Sequence, residues 1–154
     1  MPLDKRIQAA EAFWRDEESA DIQAQHVEAI VTIARRLNFR PKSVQGLPVE
    51  RRAKQLAQIN EVSDALATRA LIAYHFATQR PVMTTFLDAL GLAHENGLIT
   101  AEDVAPPDRE RLTAATATLL AAHPADDAMR YLRTLVTLDG DTWVNLPGVI
   151  AATH

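Results

Sequence analysis

PVMTTFLDALGLAHENG, residues Pro81 to Gly97, is the stretch on which the fold turns. Met83, Leu87, Leu90 and His94 recur at alternating steps of four and three, which line up on one stripe of a helix and on neither face of a strand. Pro81 suits the first helical turn, where it has no N–H to lose, and Gly97 stands where a left-handed residue would close the far end. The spacing predicts a helix over residues 81–96.

On the N-terminal side, Pro81 steers Arg80 away from helical dihedrals, so a preceding helix, capped near Ser63 and Asp64 and running to about Gln79, should break or kink there. A further helix is expected from Pro48 or Val49 to about Asn60. Between Phe39 and Pro48, Pro41, Gly46 and Pro48 read as an irregular loop of about ten residues. Ile22, His26, Ile30, Ile33 and Leu37, flanked by Val27, Val31 and Ala34, form a wide apolar stripe that predicts a central helix ending at Leu37. Asp16, Glu17 and Glu18 stand at its head, where acidic side chains complement the macrodipole. Leu3, Ile7, Ala10 and Trp14 predict the first helix.

On the C-terminal side, Thr100 to Asp103 reads as a single turn. Pro106 and Pro107 open a helix ending near Ala122, and Pro124 opens another that closes at Leu138. Residues 142–154 should pack as a short turn or half-helix, with a strand-like arm as the alternative. The chain is therefore expected to be all-α, one compact domain over residues 1–154 with six or seven helices. Glu50-Arg51 and Glu110-Arg111 each open a helix after a proline, while Asp64-Ala65-Leu66 and Asp127-Ala128-Met129 open the next, so a duplicated helical hairpin with a three-residue insertion is a further expectation.

Composition agrees. The 154 residues include 27 alanines against 5 glycines, and aromatics are 5%, a balance that favours helix over strand. There is no cysteine, which removes disulfide scaffolds, thiolate metal sites and cysteine nucleophiles. No apolar h-region follows Met1 and no 18-residue apolar run exists, so neither a signal peptide nor a membrane span is expected. The cytoplasm is the expected location, and the alanine and arginine content fits a GC-rich bacterial genome.

Charge is the most informative pattern. Residues 1–34 carry a net of −4 and residues 55–154 a net of −6, whereas residues 35–54 carry +6. That island holds Arg35, Arg36, Arg40, Lys42, Arg51, Arg52 and Lys54 against Glu50 alone. It spans a helix end, a loop and a helix start, so its cations can gather on one exposed corner. An acidic protein surface, a second subunit or a small anion would be drawn there. Nucleic acid fits less well, because the domain is acidic overall and Phe39 is the island's one stacking partner. The competing reading is that the island pairs with the chain's own acidic faces.

A second candidate site is a small-ligand pocket lined by Tyr74, His75, Met83 and Phe86, with Asp88, His94 or Glu95 supplying polar groups. There a carboxylate could orient an imidazole for proton transfer. The structural alternative for the histidines is that His26 and His75 are core-edge residues with a bonded nitrogen, and that His94 faces the carbonyls of a helix end. His26, His75 and His94 could in principle share a metal, but the Arg80-Pro81 corner would hold His75 and His94 roughly 12 Å apart at 1.5 Å per residue. No metal site and no cofactor are expected. His94-Glu95 lacks the second histidine of a zinc-protease motif, Asp139-Gly140-Asp141 lacks the glycine and glutamate of a calcium loop, and no nucleophile elbow or glycine-rich phosphate loop occurs. These residues assign no reaction. The leading expectation is a protein-interaction or regulatory module working through the basic corner. Self-association would serve the apolar chain ends, Phe13 with Trp14 and Trp143 with Val144 and Leu146, if these do not dock within the chain.

Overall fold

A computed structural model describes residues 1–153 and divides the chain into two compact units, Met1–Ala77 and Thr78–His154. Among the described residues there are nine helices and one two-residue-stranded hairpin, so the chain is all-α.

The first unit contains α1 (Leu3–Arg15), α2 (Ile22–Leu37), α3 (Pro41–Gln45), α4 (Val49–Ala57) and all but the last residue of α5 (Asp64–Thr78). Helices α1 and α4 pack antiparallel. Arg15 meets Glu50 at 3.4 Å at one end, and Arg6 reaches the carbonyl of Ile59 at 3.1 Å at the other. Phe13, Ile33, Val44, Ala53 and Leu66 close the core between the helices, each fully or almost fully buried. The larger ones, Phe13, Ile33, Val44 and Leu66, contribute roughly 1.5–3 kcal/mol apiece.

Two expectations are corrected in this unit. Helix α2 begins at Ile22 instead of at the acidic residues, because the Asp16 carboxylate accepts hydrogen bonds from the N–H groups of Glu18 and Ser19 and from the Ser19 hydroxyl, folding this segment into a turn. Within the expected loop, Pro41 starts α3, its fixed φ matching the first turn of a helix. The Ser63 cap is as expected, its hydroxyl accepting from the N–H of Leu66 at 3.1 Å.

The second unit contains α6 (Arg80–Leu90), strands β1 (His94–Glu95) and β2 (Leu98–Ile99), α7 (Arg109–Ala122), α8 (Ala125–Leu138) and α9 (Leu146–Ala152). Here the expected helix over residues 81–96 is corrected. It stops at Leu90, where Gly91 adopts φ +70° and the N–H of Leu92 turns back to the carbonyl of Leu87. Residues 94–99 instead form an antiparallel hairpin, with Asn96 and Gly97 both at positive φ in its two-residue turn. Asn-Gly is the pair that favours such a turn, and it outweighs the fourfold spacing that carried His94. Thr100 to Asp103 forms a bend instead of a helical turn. Helix α7 is capped by Asp108, whose side chain accepts from the N–H of Arg111 at 2.8 Å.

Phe86 sits at the centre of this unit, fully buried, with Tyr131 edge-on at 5.9 Å and Trp143 at 6.0 Å. The aromatic residues near both chain ends are thus covered within their own units: Phe13 and Trp14 in one, Trp143 in the other. Of the helices paired in the expected repeat, α4 has nine residues and α7 fourteen, while α5 has fifteen and α8 fourteen.

Candidate docking surface

The positive island runs through three short-range devices of the backbone. Arg35 and Arg36 occupy the last turn of α2, where cations complement the exposed carbonyls. Asn38 closes that helix at φ +54°, and the N–H of Phe39 returns to the carbonyl of Ala34. Arg40 precedes α3, Lys42 lies in α3, and Arg51, Arg52 and Lys54 lie on α4.

Their partners divide them into two sets. The Arg52 guanidinium stacks 4.7 Å above the Trp14 ring, and Arg52 is half-buried there. Arg36 donates to the carbonyl of Gln58 at 2.8 Å, tying the end of α2 to the end of α4. Arg35, Arg40, Lys42, Arg51 and Lys54 are exposed and have no hydrogen-bonding or ionic partner among the described residues. Glu50, the one carboxylate of the segment, faces Arg15, a cation outside it. None of the seven basic side chains therefore meets a carboxylate among the described residues. Arg51 and Lys54, three residues apart, share a face of α4. Phe39 lies between Arg36 and Arg40 in sequence and is 51% exposed, an apolar side chain set among cations.

The residues of the expected ligand pocket fall in both units. Tyr74 and His75 are buried on α5 in the first unit, and the Nδ1 of His75 bonds the Leu71 carbonyl at 2.7 Å. Met83 and Phe86 are buried in the second unit, where Met83 packs beside Gly97. Asp88 and His94 do come together, 2.6 Å apart from Oδ1 to Nε2. The Nδ1 of the same ring accepts the N–H of Gly97 at 3.2 Å, so Nε2 carries the proton and donates to Asp88. Both ring nitrogens are thus spent on clasping the hairpin to α6. Glu95 follows His94 on β1 and is exposed. His26 bonds the carbonyl of Phe13 at 2.8 Å, and His123 bonds the Thr85 hydroxyl at 2.9 Å. Among the described residues no three potential ligands are grouped to hold a metal ion.

A cavity of about 370 Å³ lies within the first unit, and none of the residues named as candidates from the sequence lines it. Its walls include Ala9, Ala10, Ala57, Ala67 and Ala70 from α1, α4 and α5. The signal was present in the sequence as alanines on facing helices, but small residues mark close packing as readily as a cavity. Only their register across three helices distinguishes the two.

Buried titratable groups elsewhere are few. Burial pushes the Tyr131 phenol far above its ordinary value. At Asp16 burial raises the carboxyl, but hydrogen bonds from the side chain and backbone of Ser19, another from the backbone of Glu18, and the charge of Arg69 outweigh it and hold the carboxyl below its usual range.

These features define an all-α chain of small helical units whose positive charge is concentrated in one uncompensated segment, and no helix among the described residues is long and apolar enough to cross a membrane. No family model, no curated protein and no solved structure matches the chain.

Proposed function

We propose that the protein is an interaction module that docks an acidic protein surface through the corner formed by the end of α2, α3 and α4. The observation that carries this reading is the set of five exposed cations, Arg35, Arg40, Lys42, Arg51 and Lys54, without a carboxylate partner among the described residues. Like charges held together on one short stretch repel, and a partner's carboxylates would relieve that repulsion while steering association. Phe39 supplies the apolar contact that charged rims lack, since aromatic and arginine side chains carry much of the energy at protein interfaces. Cysteine-free, Ala- and Arg-rich composition supports a bacterial cytoplasm as the setting.

The test is affinity capture from the native host, with the wild-type chain and a variant carrying Arg40→Glu, Lys42→Glu, Arg51→Glu and Lys54→Glu as baits. Arg52 is left intact because its stack on Trp14 supports the fold. The expected result is a protein partner with an acidic contact surface, captured by the wild type and lost by the variant, with helical circular dichroism unchanged. Equal capture by both baits, or capture of nucleic acid in place of protein, would remove the reading.

A further inference from the structure

We infer that the cavity of the first unit is a binding site for an amphiphile with an apolar tail and a carboxylate head, of the medium-chain monocarboxylate class. The site shares α4 with the proposed docking corner, but none of the corner's seven cations lines it. Leu56, Ile59, Val62, Leu66 and Leu71 join the five alanines, so the walls are mainly apolar. Arg6 is the sole charged side chain among the described residues lining it, and Asn60 is the sole other polar one.

Arg6 is fixed in place before any ligand arrives. One of its amino groups, Nη2, is held by the Ile59 carbonyl at 3.1 Å and by the Asn60 side-chain oxygen at 3.5 Å. No carboxylate of the described residues touches the guanidinium, and Nη1 and Nε have no acceptor among them. A guanidinium presents five donors in a planar fork that matches a carboxylate, so the unspent edge suits a monoanionic, planar head group. The tail class follows from the walls, which offer no polar side chain other than Arg6 and Asn60 to a ligand with hydroxyls or amides along its length. The size follows from the volume: about 370 Å³ holds about a dozen water-sized groups at ~30 Å³ each. Decanoate, with ten carbons and two oxygens, has that number of heavy atoms.

The experiment titrates the full chain with decanoate and, separately, with decanol, both below their aggregation concentrations, and follows methyl NMR shifts of Leu56, Leu66 and Leu71. Decanoate is expected to shift these methyls and to bind roughly tenfold more tightly than decanol, the value of one charge-assisted pair. Arg6→Gln should weaken decanoate by roughly that tenfold and leave decanol unchanged. Ala67→Leu, which adds a larger side chain to an exposed part of the wall, should abolish binding of both probes. Circular dichroism of each variant establishes that it is folded, and Ala67→Met serves the same purpose if the leucine is not tolerated. Decanoate and decanol binding with equal affinity, an Arg6→Gln variant that binds decanoate as the wild type does, or cavity methyls unmoved by decanoate would each overturn the proposal.

Discussion

Replacing Arg52 by alanine separates the cations that hold this fold from those left over for a partner. The Arg52 guanidinium lies 4.7 Å from the Trp14 ring centroid on a half-buried site. A cation–π contact of that kind contributes about 1 kcal/mol when partly desolvated. The aliphatic stem adds roughly 0.8 kcal/mol for each methylene it buries. Against this stands the buried Nε, which has no hydrogen-bond acceptor and whose removal recovers part of the loss. The net expectation for Arg52→Ala is a destabilisation of about 1.5 kcal/mol, whereas Arg51→Ala and Lys54→Ala should each stay within ~0.5 kcal/mol. With a urea slope of about 1.5 kcal/mol per molar, Arg52→Ala moves the midpoint down by about 1 M, a shift easily read at 222 nm. Arg52→Lys keeps the charge but not the planar stack and should recover only part of the loss. A double-mutant cycle with Trp14→Leu should return a coupling of about 1 kcal/mol. If Arg52→Ala unfolds at the same urea concentration as Arg51→Ala, the stack does not support the fold and the division of the seven cations into two sets is wrong.

Two glycines at positive φ should behave differently. Gly97 has φ +96°, and a Cβ there would lie 3.2 Å from Cβ and 3.0 Å from Cε of Met83; Gly91 has φ +70° and open space. Gly91→Ala should cost about 1–2 kcal/mol from backbone strain alone, and Gly97→Ala at least ~1 kcal/mol more from the added clash. Thermal unfolding compares the two, and equal costs would contradict the packing described for the hairpin. The depressed Asp16 carboxyl stabilises the fold at pH values above the unfolded carboxylate pKa of ~3.9 and loses that contribution as pH falls through its lower folded value. Asp16→Asn should therefore destabilise at neutral pH, with the gap to wild type shrinking as the solution is acidified through that window. Carbon-13 titration of Ser19→Ala should show the Asp16 carboxyl moving up toward its ordinary range, and an unmoved titration would count against the turn.

Local chemistry was legible in the chain wherever one residue acts on its own neighbours. Pro124 and Leu138 bracket α8, Ser63 caps α5, and the tail from Leu146 forms the short helix α9, all features that close within a few residues. The misreadings lie where two local signals competed. Residues 91–97 carry both a helical spacing and an Asn-Gly turn, and Asp16 can serve a helix dipole or a turn; periodicity alone does not weigh one against the other.

The positive island was likewise plain in the sequence, since charge is counted without coordinates. Its division was not. That Arg52 stacks on Trp14 and Arg36 ties down Gln58 follows from the antiparallel packing of α1 on α4 and the approach of α2 to α4, contacts between residues 22 to 38 positions apart. The cavity beside Arg6 depends on the same kind of information. Alanine by itself is silent about space, and only the meeting of three helices decides whether removed side-chain volume is filled by a neighbour or left as a site.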